Sequence, residues 1–211
     1  MTHPSLAAQS GCRALAVAAS DASPGPGPIL YGFWHSTCTW RVRAVLAAAG
    51  EEYEYCPVNL MKGAQRSHEY VRINSMASVP TWVEHIEGAP AGKSLVLTQS
   101  MAIAEHIIGT RSAARHLLPE DPVKRAQARQ ISQIVSSDIQ PFQQLRAIQA
   151  VAESCAIEGS ANSASVSDPG QAFARRMVTR GMEALEHLLQ STAGEHAVGN
   201  VPTLADAFIA P

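Results

Sequence analysis

The sequence predicts two domains, an α/β domain followed by an all-α domain. In the first half of the 211-residue chain, short apolar runs alternate with helix-forming runs, which is typical of a sheet covered by helices. After about residue 110 the strand signals end, and apolar residues recur every three or four positions, as on the buried side of a helix. We place the domains at residues 29–112 and 118–211, with residues 1–28 as a disordered N-terminal extension.

The N-terminal extension is rich in alanine and serine and ends in a Pro-Gly-Pro-Gly-Pro run, which does not favour a packed element. Its charged side chains are Arg13 and Asp21, whereas a mitochondrial presequence carries several arginines and no acids. We therefore expect a cytoplasmic protein, with a mitochondrial location as the alternative.

Composition excludes several classes of protein. The chain has 16 basic and 18 acidic residues and no basic cluster, so we expect no nucleic-acid partner. Its longest aliphatic runs, such as Ala14–Ala19 and Ala44–Ala49, are far shorter than the ~20 residues that span a membrane. Four separated cysteines without a Cys-x-x-Cys pair do not favour a disulfide scaffold or a structural zinc site and indicate a reducing compartment.

The first half is predicted to run strand, helix, strand, a short irregular or helical piece, two strands and a helix. The predicted strands are Ile29–Phe33, Tyr53–Val58, Thr81–His85 and Leu95–Leu97, with a turn at Gly88–Gly92 between the last two. The predicted helices are Thr39–Ala49, stopped by Gly50, and Ser100–Ile108, closed by Gly109. This order is that of a thioredoxin-like domain with a mixed sheet.

The second half is predicted to be helical. A helix begins at Asp121-Pro122, because aspartate caps a helix and proline suits its first position. It continues as one long helix bent at Pro141, with an apolar stripe formed by Ile131, Ile134, Val135, Ile139, Phe142, Leu145, Ile148 and Val151. After a loop at Glu158–Gly170, a second helix spans Ala172–Gln190, with Val178, Met182, Leu185 and Leu189 along one side.

A last helix is predicted near the end of the sequence. Thr203 and Asp206 have the spacing of a capping box, in which the acidic side chain reaches back to the cap residue. The chain stops about two turns later, and so short a helix is marginal on its own. We therefore expect a truncated helical domain in which Thr203 and Asp206 are structural.

The chemistry of the sequence is concentrated where the first strand gives way to the first helix. Ser36, Thr37 and Cys38 lie at that helix N-terminus, where free N–H groups and the helix dipole favour a negative charge. Such a site stabilises a thiolate, either the protein's own or that of a bound thiol. The alternative is that Ser36 or Thr37 only caps the helix.

The segment Ser36–Arg43 (Ser-Thr-Cys-Thr-Trp-Arg-Val-Arg) resembles the Ser-Ser-Cys-Ser-Trp-Arg-Val-Arg signature of zeta-class glutathione transferases, which include the maleylacetoacetate isomerases. Further pieces that match in order are Pro57–Lys62, Asn74 with Val79–Thr81, Gln99–Glu105, Leu117–Pro122, Ile139–Pro141, and Ala184–Glu186 with Gln190–Gly194. The resemblance extends from Ile29 to Pro211. It implies a thioredoxin-like N-terminal domain and an incomplete helical glutathione-transferase C-terminal domain.

The resemblance implies a catalytic loop formed by Ser36, Thr37 and Cys38. The Ser36 hydroxyl would hydrogen-bond the glutathione sulfur and lower the pKa of its thiol by favouring the charged form. Thr37 replaces the second serine of the signature, and Cys38 shapes the site. The implied glutathione contacts are Ser36, Thr37, Cys38, Arg41, Gln65, Val79, Gln99, Ser100, Gln140 and Gln144.

Some of these contacts have specific implied roles. Val79 precedes an implied cis-proline, Pro80, and its backbone would pair with the tripeptide as an added strand does. Gln99 and Ser100 would bind the γ-glutamyl carboxylate, since Ser100 opens a helix. Gln140 and Gln144 would contribute from the long helix.

Plainer interpretations stay open for several residues. Gln65 is alternatively a surface residue, Ser100 a helix cap, and Gln140 a partner for backbone groups freed by the proline bend. Arg41 is alternatively part of a solvated helix face. His35 replaces an arginine common in the family, and a general-base role for it is not required if the thiol is already ionised.

The resemblance implies glutathione-dependent isomerisation of maleylacetoacetate to fumarylacetoacetate in tyrosine and phenylalanine breakdown, by a homodimer. Transferase activity on small α-halo acids is a further implied property, so the substrates are a small dicarboxylate or an α-halo acid. The family arginine that holds the substrate carboxylate has no counterpart up to Pro211. The alternatives are therefore an impaired glutathione-binding remnant and a non-catalytic interaction protein. A dithiol oxidoreductase is disfavoured. Its Cys-x-x-Cys motif would require a second cysteine at position 35 to pair with Cys38, and that position is His35.

Overall fold

The computed structural model describes residues 27–85, 94–157 and 168–211. The chain forms two compact units, one ending at Arg115 and the other spanning His116–Ala210. The expectations for residues 1–26, for the turn at 88–92 and for loop residues 158–167 lie outside the described residues. Within those that are described, none of the helices combines the length and apolar character that crossing a membrane requires.

The first unit contains a four-stranded mixed sheet. Its strands are β1 (Ile29–Gly32), β2 (Glu54–Pro57), β3 (Thr81–His85) and β4 (Ser94–Thr98), and its helices are α1 (Thr37–Ala49), α2 (His68–Ile73) and α3 (Ser100–Thr110). Short 3-10 segments lie at Leu60–Lys62, Ala64–Arg66 and Ser112–Leu117. The order across the sheet is β2-β1-β3-β4, with β1 parallel to β2 and antiparallel to β3, and β3 antiparallel to β4. The predicted thioredoxin-like fold is confirmed.

The sheet is buried on both faces, because successive side chains of a strand alternate between them. On one face, Tyr31 and Val83 join Tyr70 of α2 in an apolar cluster. On the opposite face, Leu30 and Trp82 are fully buried, and α1 packs against α3. This double cover explains why β1 is apolar along its whole length.

The helix ends of the first unit differ in part from the expectation. Helix α1 begins two residues before the predicted Thr39, because Ser36 is its N-cap, and it ends as predicted at Gly50, which has φ 62°. Gly109 does not close α3; the helix continues to Thr110, with Arg111 as its C-cap. Gly109 is exposed and adopts ordinary helical angles, so the stop signal comes two residues later.

The cysteines also differ from the expectation. Cys56, which is buried in β2, is disulfide-bonded, whereas Cys38 and Cys155 are free.

The second unit is helical. Its helices are α4 (Pro122–Gln133), α5 (Leu145–Ile157), α6 (Pro169–Thr192) and α7 (Leu204–Ile209). Asp121 caps α4 as predicted, with its Oδ1 accepting from the N–H groups of Val123 and Lys124 at 2.7 and 3.0 Å. The core of this unit contains Ala128, Ile131, Val135, Ile139, Leu185, Ala197, Val198 and Ala205.

The predicted long helix around Pro141 is interrupted rather than bent. After α4 the chain forms a π-helix at Ile134–Ile139 and a 3-10 segment at Gln140–Gln143, and Gln144 is extended before α5 begins. Proline removes one helical N–H donor, and the wider π turn carries the chain to that position. The interruption shifts the helical phase, so Leu145 is exposed instead of continuing the apolar stripe.

Helix α6 is longer than predicted. Asp168 caps it and Pro169 is its first residue, so its start precedes the predicted Ala172. Met182 is exposed, contrary to the prediction, because the neighbouring Gly181 faces the core. A Cβ atom at Gly181 would overlap the Ile139 side chain, so only glycine allows this close approach of α6 to the π-helix.

The predicted capping box of α7 is confirmed. Asp206 Oδ2 accepts hydrogen bonds from the Thr203 N–H at 2.7 Å and from the Thr203 hydroxyl at 3.1 Å. Its other oxygen, Oδ1, accepts from the Ala197 N–H at 2.9 Å. The carboxylate therefore joins the last helix to the preceding loop.

An ionic network lies on the α3 side of the sheet. Arg111 binds both carboxylate oxygens of Glu51 at 2.9 Å, and its Nη2 lies 3.4 Å from Glu84 Oε2. The same Glu84 oxygen accepts from the Trp82 indole at 2.6 Å and lies 3.2 Å from His106 Nε2. Burial raises the pKa of Glu84, but the hydrogen bonds of Trp82 and His106 and the charge of Arg111 outweigh it and lower that pKa overall.

We expect Asp206→Ala to lower the free energy of unfolding by about 2 kcal/mol, because it removes the cap and the Ala197 bond together. Urea denaturation of the full chain measures this loss. Asp206→Asn keeps a side-chain carbonyl oxygen that accepts hydrogen bonds, so it should lose less stability. Equal stability of the alanine variant and the wild type would contradict the structural role of Asp206.

We expect the Glu84 network to make stability depend on pH. Because the folded-state pKa of Glu84 lies below its unfolded value, the network's contribution is complete above about pH 4.3 and is lost as the pH falls through the folded pKa. Unfolding free energies measured between neutral and acidic pH should therefore fall more steeply for the wild type than for Glu84→Gln, which cannot titrate. Parallel pH profiles would contradict this expectation.

Candidate functional site

The strand register brings several loops to one edge of the sheet. Tyr31 of β1 pairs with Thr81 of β3, and Thr81 pairs with Thr98 of β4. Strand β1 ends next to these paired residues, and β3 begins at them. One edge of the sheet therefore carries the loop after Gly32, the turn before Thr81 and the segment after Thr98. Strand β2 also ends there, because Gly32 pairs with Pro57. We call this the loop edge.

The loop edge carries most of the predicted site residues. Those that the first unit places on the segments leaving this edge are Ser36, Thr37, Cys38, Gln65, Val79, Pro80, Gln99 and Ser100. Arg41 lies one turn further along α1. Gln140 and Gln144 belong to the second unit.

Ser36 fixes the start of α1. Its N–H donates to the Phe33 carbonyl at 3.0 Å, and its hydroxyl oxygen accepts from the Thr39 N–H at 3.2 Å. Capping occupies one lone pair of the hydroxyl, so the O–H proton remains able to donate to an anion. The first turn of α1 contains no acidic side chain, so the positive end of the helix is not neutralised there. Capping and anion binding are therefore compatible at Ser36.

Close packing holds this helix start against β1. A Cβ atom at Gly32 would overlap the Thr39 methyl group, so the strand and the helix approach more closely than any other residue would allow. The Phe33 N–H donates to the Thr39 hydroxyl at 3.4 Å. Together these contacts give Ser36 a defined position at the loop edge.

Arg41 places a positive charge beside Cys38. Its Nη1 lies 3.8 Å from the Cys38 sulfur, and its side chain is 2% exposed. The alternative of a solvated helix face is therefore wrong for Arg41. Burial lowers the pKa of Arg41, and the neighbouring Cys38 raises it. The guanidinium and the helix dipole both favour negative charge near the start of α1.

Gln65 and Val79 each present unsatisfied polar groups. The Gln65 side chain is half-buried, and its buried Oε1 has no hydrogen-bond partner in the part of the chain that the structure describes, so it is not a plain surface residue. The Val79–Pro80 peptide bond is cis, which confirms that prediction. Among the described residues, neither the N–H nor the C=O of Val79 is hydrogen-bonded, so this backbone can pair with an extended peptide.

The start of α3 has an unusual backbone geometry. Gln99, not Ser100, occupies the N-cap position, so the alternative in which Ser100 caps the helix is wrong. Gln99 has φ 73° and ψ 119°, which is costly for any residue except glycine. Its side chain makes no capping bond, and Ser100 is buried as the first helical residue. The first N–H groups of α3 are therefore available to a carboxylate.

The predicted site residues of the second unit lie in irregular backbone. Gln140 begins the 3-10 segment and Gln144 is extended, so neither lies on the long helix that the sequence predicted. Both side chains are half-buried. In the described ranges, no hydrogen bond joins the Gln140 side chain to the backbone around Pro141, which does not support its alternative role there.

A buried polar cluster beside Val79 did not stand out in the sequence. Tyr70 and Asn74 donate to the Ser78 carbonyl, and both are hydrogen-bonded to the Thr81 hydroxyl. Asn74 and Thr81 belong to segments that match the family, but no sequence signal marked the three residues as partners. In the described ranges, no group of three or more His, Cys, Asp or Glu side chains could hold a metal ion.

Comparison with known proteins identifies similar chains. A family model described as glutathione S-transferase, N-terminal domain, matches residues 27–109. Maleylacetoacetate isomerase from Rattus norvegicus is 40% identical over 186 residues, which cover 87% of this chain and 76% of that protein.

Two solved structures of maleylacetoacetate isomerase from Anaeromyxobacter dehalogenans 2CP-1 share this architecture. One, with bound GSH in the active site, superposes with a TM-score of 0.69 at 32% identity and covers 86% of this chain and 77% of that chain. The other, with bound dicarboxyethyl glutathione and citrate, has a TM-score of 0.68 at 31% identity, over 86% and 76% of the two chains.

We expect Gln99→Gly to be about 1 kcal/mol more stable than Gln99→Ala, because glycine adopts the backbone angles at this position without steric cost. Both variants lose the amide side chain, so the comparison isolates the backbone contribution. Urea denaturation of both variants measures the difference. A glycine variant no more stable than the alanine variant would show that the conformation carries no such cost.

Proposed function

Because the chain belongs to the family of zeta-class glutathione transferases and maleylacetoacetate isomerases, we propose that it isomerises maleylacetoacetate to fumarylacetoacetate with glutathione as cofactor. The observation that carries the proposal is the Ser36 hydroxyl, which has a proton to donate at the unneutralised N-terminus of α1. The alternatives of an impaired remnant and of a non-catalytic interaction protein are not favoured, since the similar proteins are isomerases.

The residues of the loop edge fit the parts of glutathione. The start of α1, with Ser36, suits the sulfur, because an O–H donor and the helix dipole both favour an anion. The open N–H and C=O of Val79 suit the peptide groups of the cysteinyl unit. The uncapped start of α3, with Gln99 and Ser100, suits the γ-glutamyl carboxylate. Gln65 offers a further polar group to the tripeptide.

When bound, glutathione would supply a thiolate whose reversible addition to the conjugated double bond forms a C–S bond and permits rotation; that C–S bond breaks as the thiolate leaves and the double bond forms again. The protein's task is to keep that sulfur ionised and to hold it against the alkene. Ser36 would donate a hydrogen bond to the anionic sulfur, and the charge of Arg41 would add to the favourable field. Because the sulfur is then already ionised near neutral pH, exposed His35 needs no role as a base.

The same low-pKa sulfur would displace halide from a small α-halo acid, forming a C–S bond as the halide departs. We propose this transferase reaction as a second activity of the same site. The dicarboxyethyl glutathione and citrate in a similar isomerase support small carboxylic acids as the substrate class. A homodimer, a cytoplasmic location and a place in tyrosine and phenylalanine breakdown are proposed on the resemblance alone, as are glutathione contacts from Gln140 and Gln144.

We expect Ser36→Ala to raise the pKa of bound glutathione toward that of a free thiol, about 8.5, and to lower kcat/KM about 100-fold. The thiolate's ultraviolet absorbance, followed against pH in the complex, measures the pKa. Ser36→Thr keeps both the hydroxyl and the cap and should stay near the wild type. A titration that Ser36→Ala leaves unchanged would remove Ser36 from the catalytic role.

A further inference from the structure

The polar cluster of Tyr70, Asn74 and Thr81 is enclosed between α2 and the start of β3. The Tyr70 hydroxyl and the Asn74 Nδ2 each lie 2.7 Å from the Ser78 carbonyl oxygen. Asn74 Nδ2 and the Tyr70 hydroxyl each lie 2.9 Å from the Thr81 hydroxyl. The three side chains are at most 2% exposed, so none of these bonds competes with bulk water.

The direction of every hydrogen bond in the cluster follows from its donors. The Ser78 carbonyl can only accept, so Tyr70 uses its single proton on that oxygen. The bond between Tyr70 and Thr81 must then be donated by Thr81. Asn74 donates one N–H to Ser78 and the other to Thr81. The four N–H and O–H protons of these three side chains thus form four hydrogen bonds, and every donor is used.

The protonation state of Tyr70 does not vary within the physiological range. Burial raises the pKa of Tyr70 to about 12, although the polar side chains of Thr81 and Asn74 beside its hydroxyl oppose this rise. The hydroxyl is therefore a permanent donor to the Ser78 carbonyl at neutral pH.

The cluster also defines the turn that leads to Val79. Asn74 Oδ1 accepts from the Met76 N–H at 3.1 Å, and the Asn74 carbonyl accepts from the Ala77 N–H at 2.9 Å. Ala77 has φ 49°, in the left-handed region that non-glycine residues seldom occupy. Asn74 therefore stabilises the turn from both its backbone and its side chain.

The orientation of one peptide group links the cluster to the loop edge. The Ser78 carbonyl and the Val79 N–H belong to the same planar peptide unit, which is trans, so they point in opposite directions. Two donors draw the carbonyl into the core. The Val79 N–H must then point away from the cluster, and no group in the described residues accepts from it.

We propose that Tyr70, Asn74 and Thr81 are positioning residues that orient the Val79 backbone for pairing with the cysteinyl unit of glutathione. The inference rests on the proposed function, because it assigns to these residues a share of glutathione affinity. A cluster that served only to satisfy buried polar groups would contribute to stability and leave that affinity unchanged.

The matched substitutions are Tyr70→Phe as the test and Tyr31→Phe as the control. Tyr31 is also fully buried, its ring meets that of Tyr70 edge-on at 6.0 Å, and its hydroxyl has no partner among the described residues. Both substitutions delete one buried hydroxyl from the same apolar cluster. A second pair of substitutions distinguishes the loss of the hydroxyl group from a change in side-chain shape. Thr81→Val removes the hydroxyl and keeps the shape, whereas Thr81→Ser keeps the hydroxyl.

Titration calorimetry with glutathione, on full-length chains confirmed to be folded, measures the effect. We expect Tyr70→Phe and Thr81→Val to weaken glutathione binding about tenfold, with kcat at saturating glutathione within about twofold of the wild type. Tyr31→Phe and Thr81→Ser should bind as the wild type does. The ¹⁵N-amide resonance of Val79, recorded without ligand, should shift in Tyr70→Phe more than in Tyr31→Phe.

Several results would overturn the inference. Unchanged glutathione affinity in Tyr70→Phe, an equal loss in Tyr31→Phe, or an unshifted Val79 amide would each do so while leaving the proposed function intact. A loss confined to kcat would also overturn it. A wild-type chain that does not bind glutathione would instead overturn the proposed function, and this inference with it.

Discussion

The pairing of Thr81 with Tyr31 on one side and with Thr98 on the other is the constraint on which the loop edge depends. The hydrogen bonds of the sheet determine where each strand begins and ends. The segments after β1 and β4 and the segment before β3 therefore all lie at the loop edge. The groups that suit sulfur, peptide and carboxylate come from distant parts of the sequence. Only the register gives them a common edge, because the connecting loops differ in length and conformation.

Helix termini supply the electrostatics at that edge. Both α1 and α3 begin at that edge, and neither has an acidic side chain in its first turn. Their positive ends are therefore not neutralised by carboxylates of their own first turns. Arg41 adds a formal charge from a buried position, where solvent screens it less than at the surface.

Features that depend on burial or short motifs were predictable from the sequence, whereas features that depend on backbone detail were not. β3 was predicted with its observed bounds, because the β-favouring residues Thr81, Trp82 and Val83 follow a proline, and the Asp206 capping box has a recognisable spacing. The π-helix before Pro141 was missed, since a period near 3.6 residues does not reveal a wider turn. The left-handed φ of Gln99 was missed because propensity favours glycine there. The donor assignments around Ser78 need coordinates, since they join residues from a helix, a turn and a strand.

Thr81 belongs both to the sheet and to the polar cluster. An error in the pairing of β3 during folding would therefore also disturb the cluster beside Val79. A misregistered β3, slipped by a single residue, would turn the Thr81 hydroxyl toward α1 and α3 and bring Trp82 to the side of Tyr70. Tyr70 and Asn74 would lose their hydrogen bonds with Thr81, and the backbone that they orient would be less well fixed for an incoming tripeptide. Misfolded chains would therefore be distinguishable from native ones by their failure to be retained on an immobilised peptide thiol.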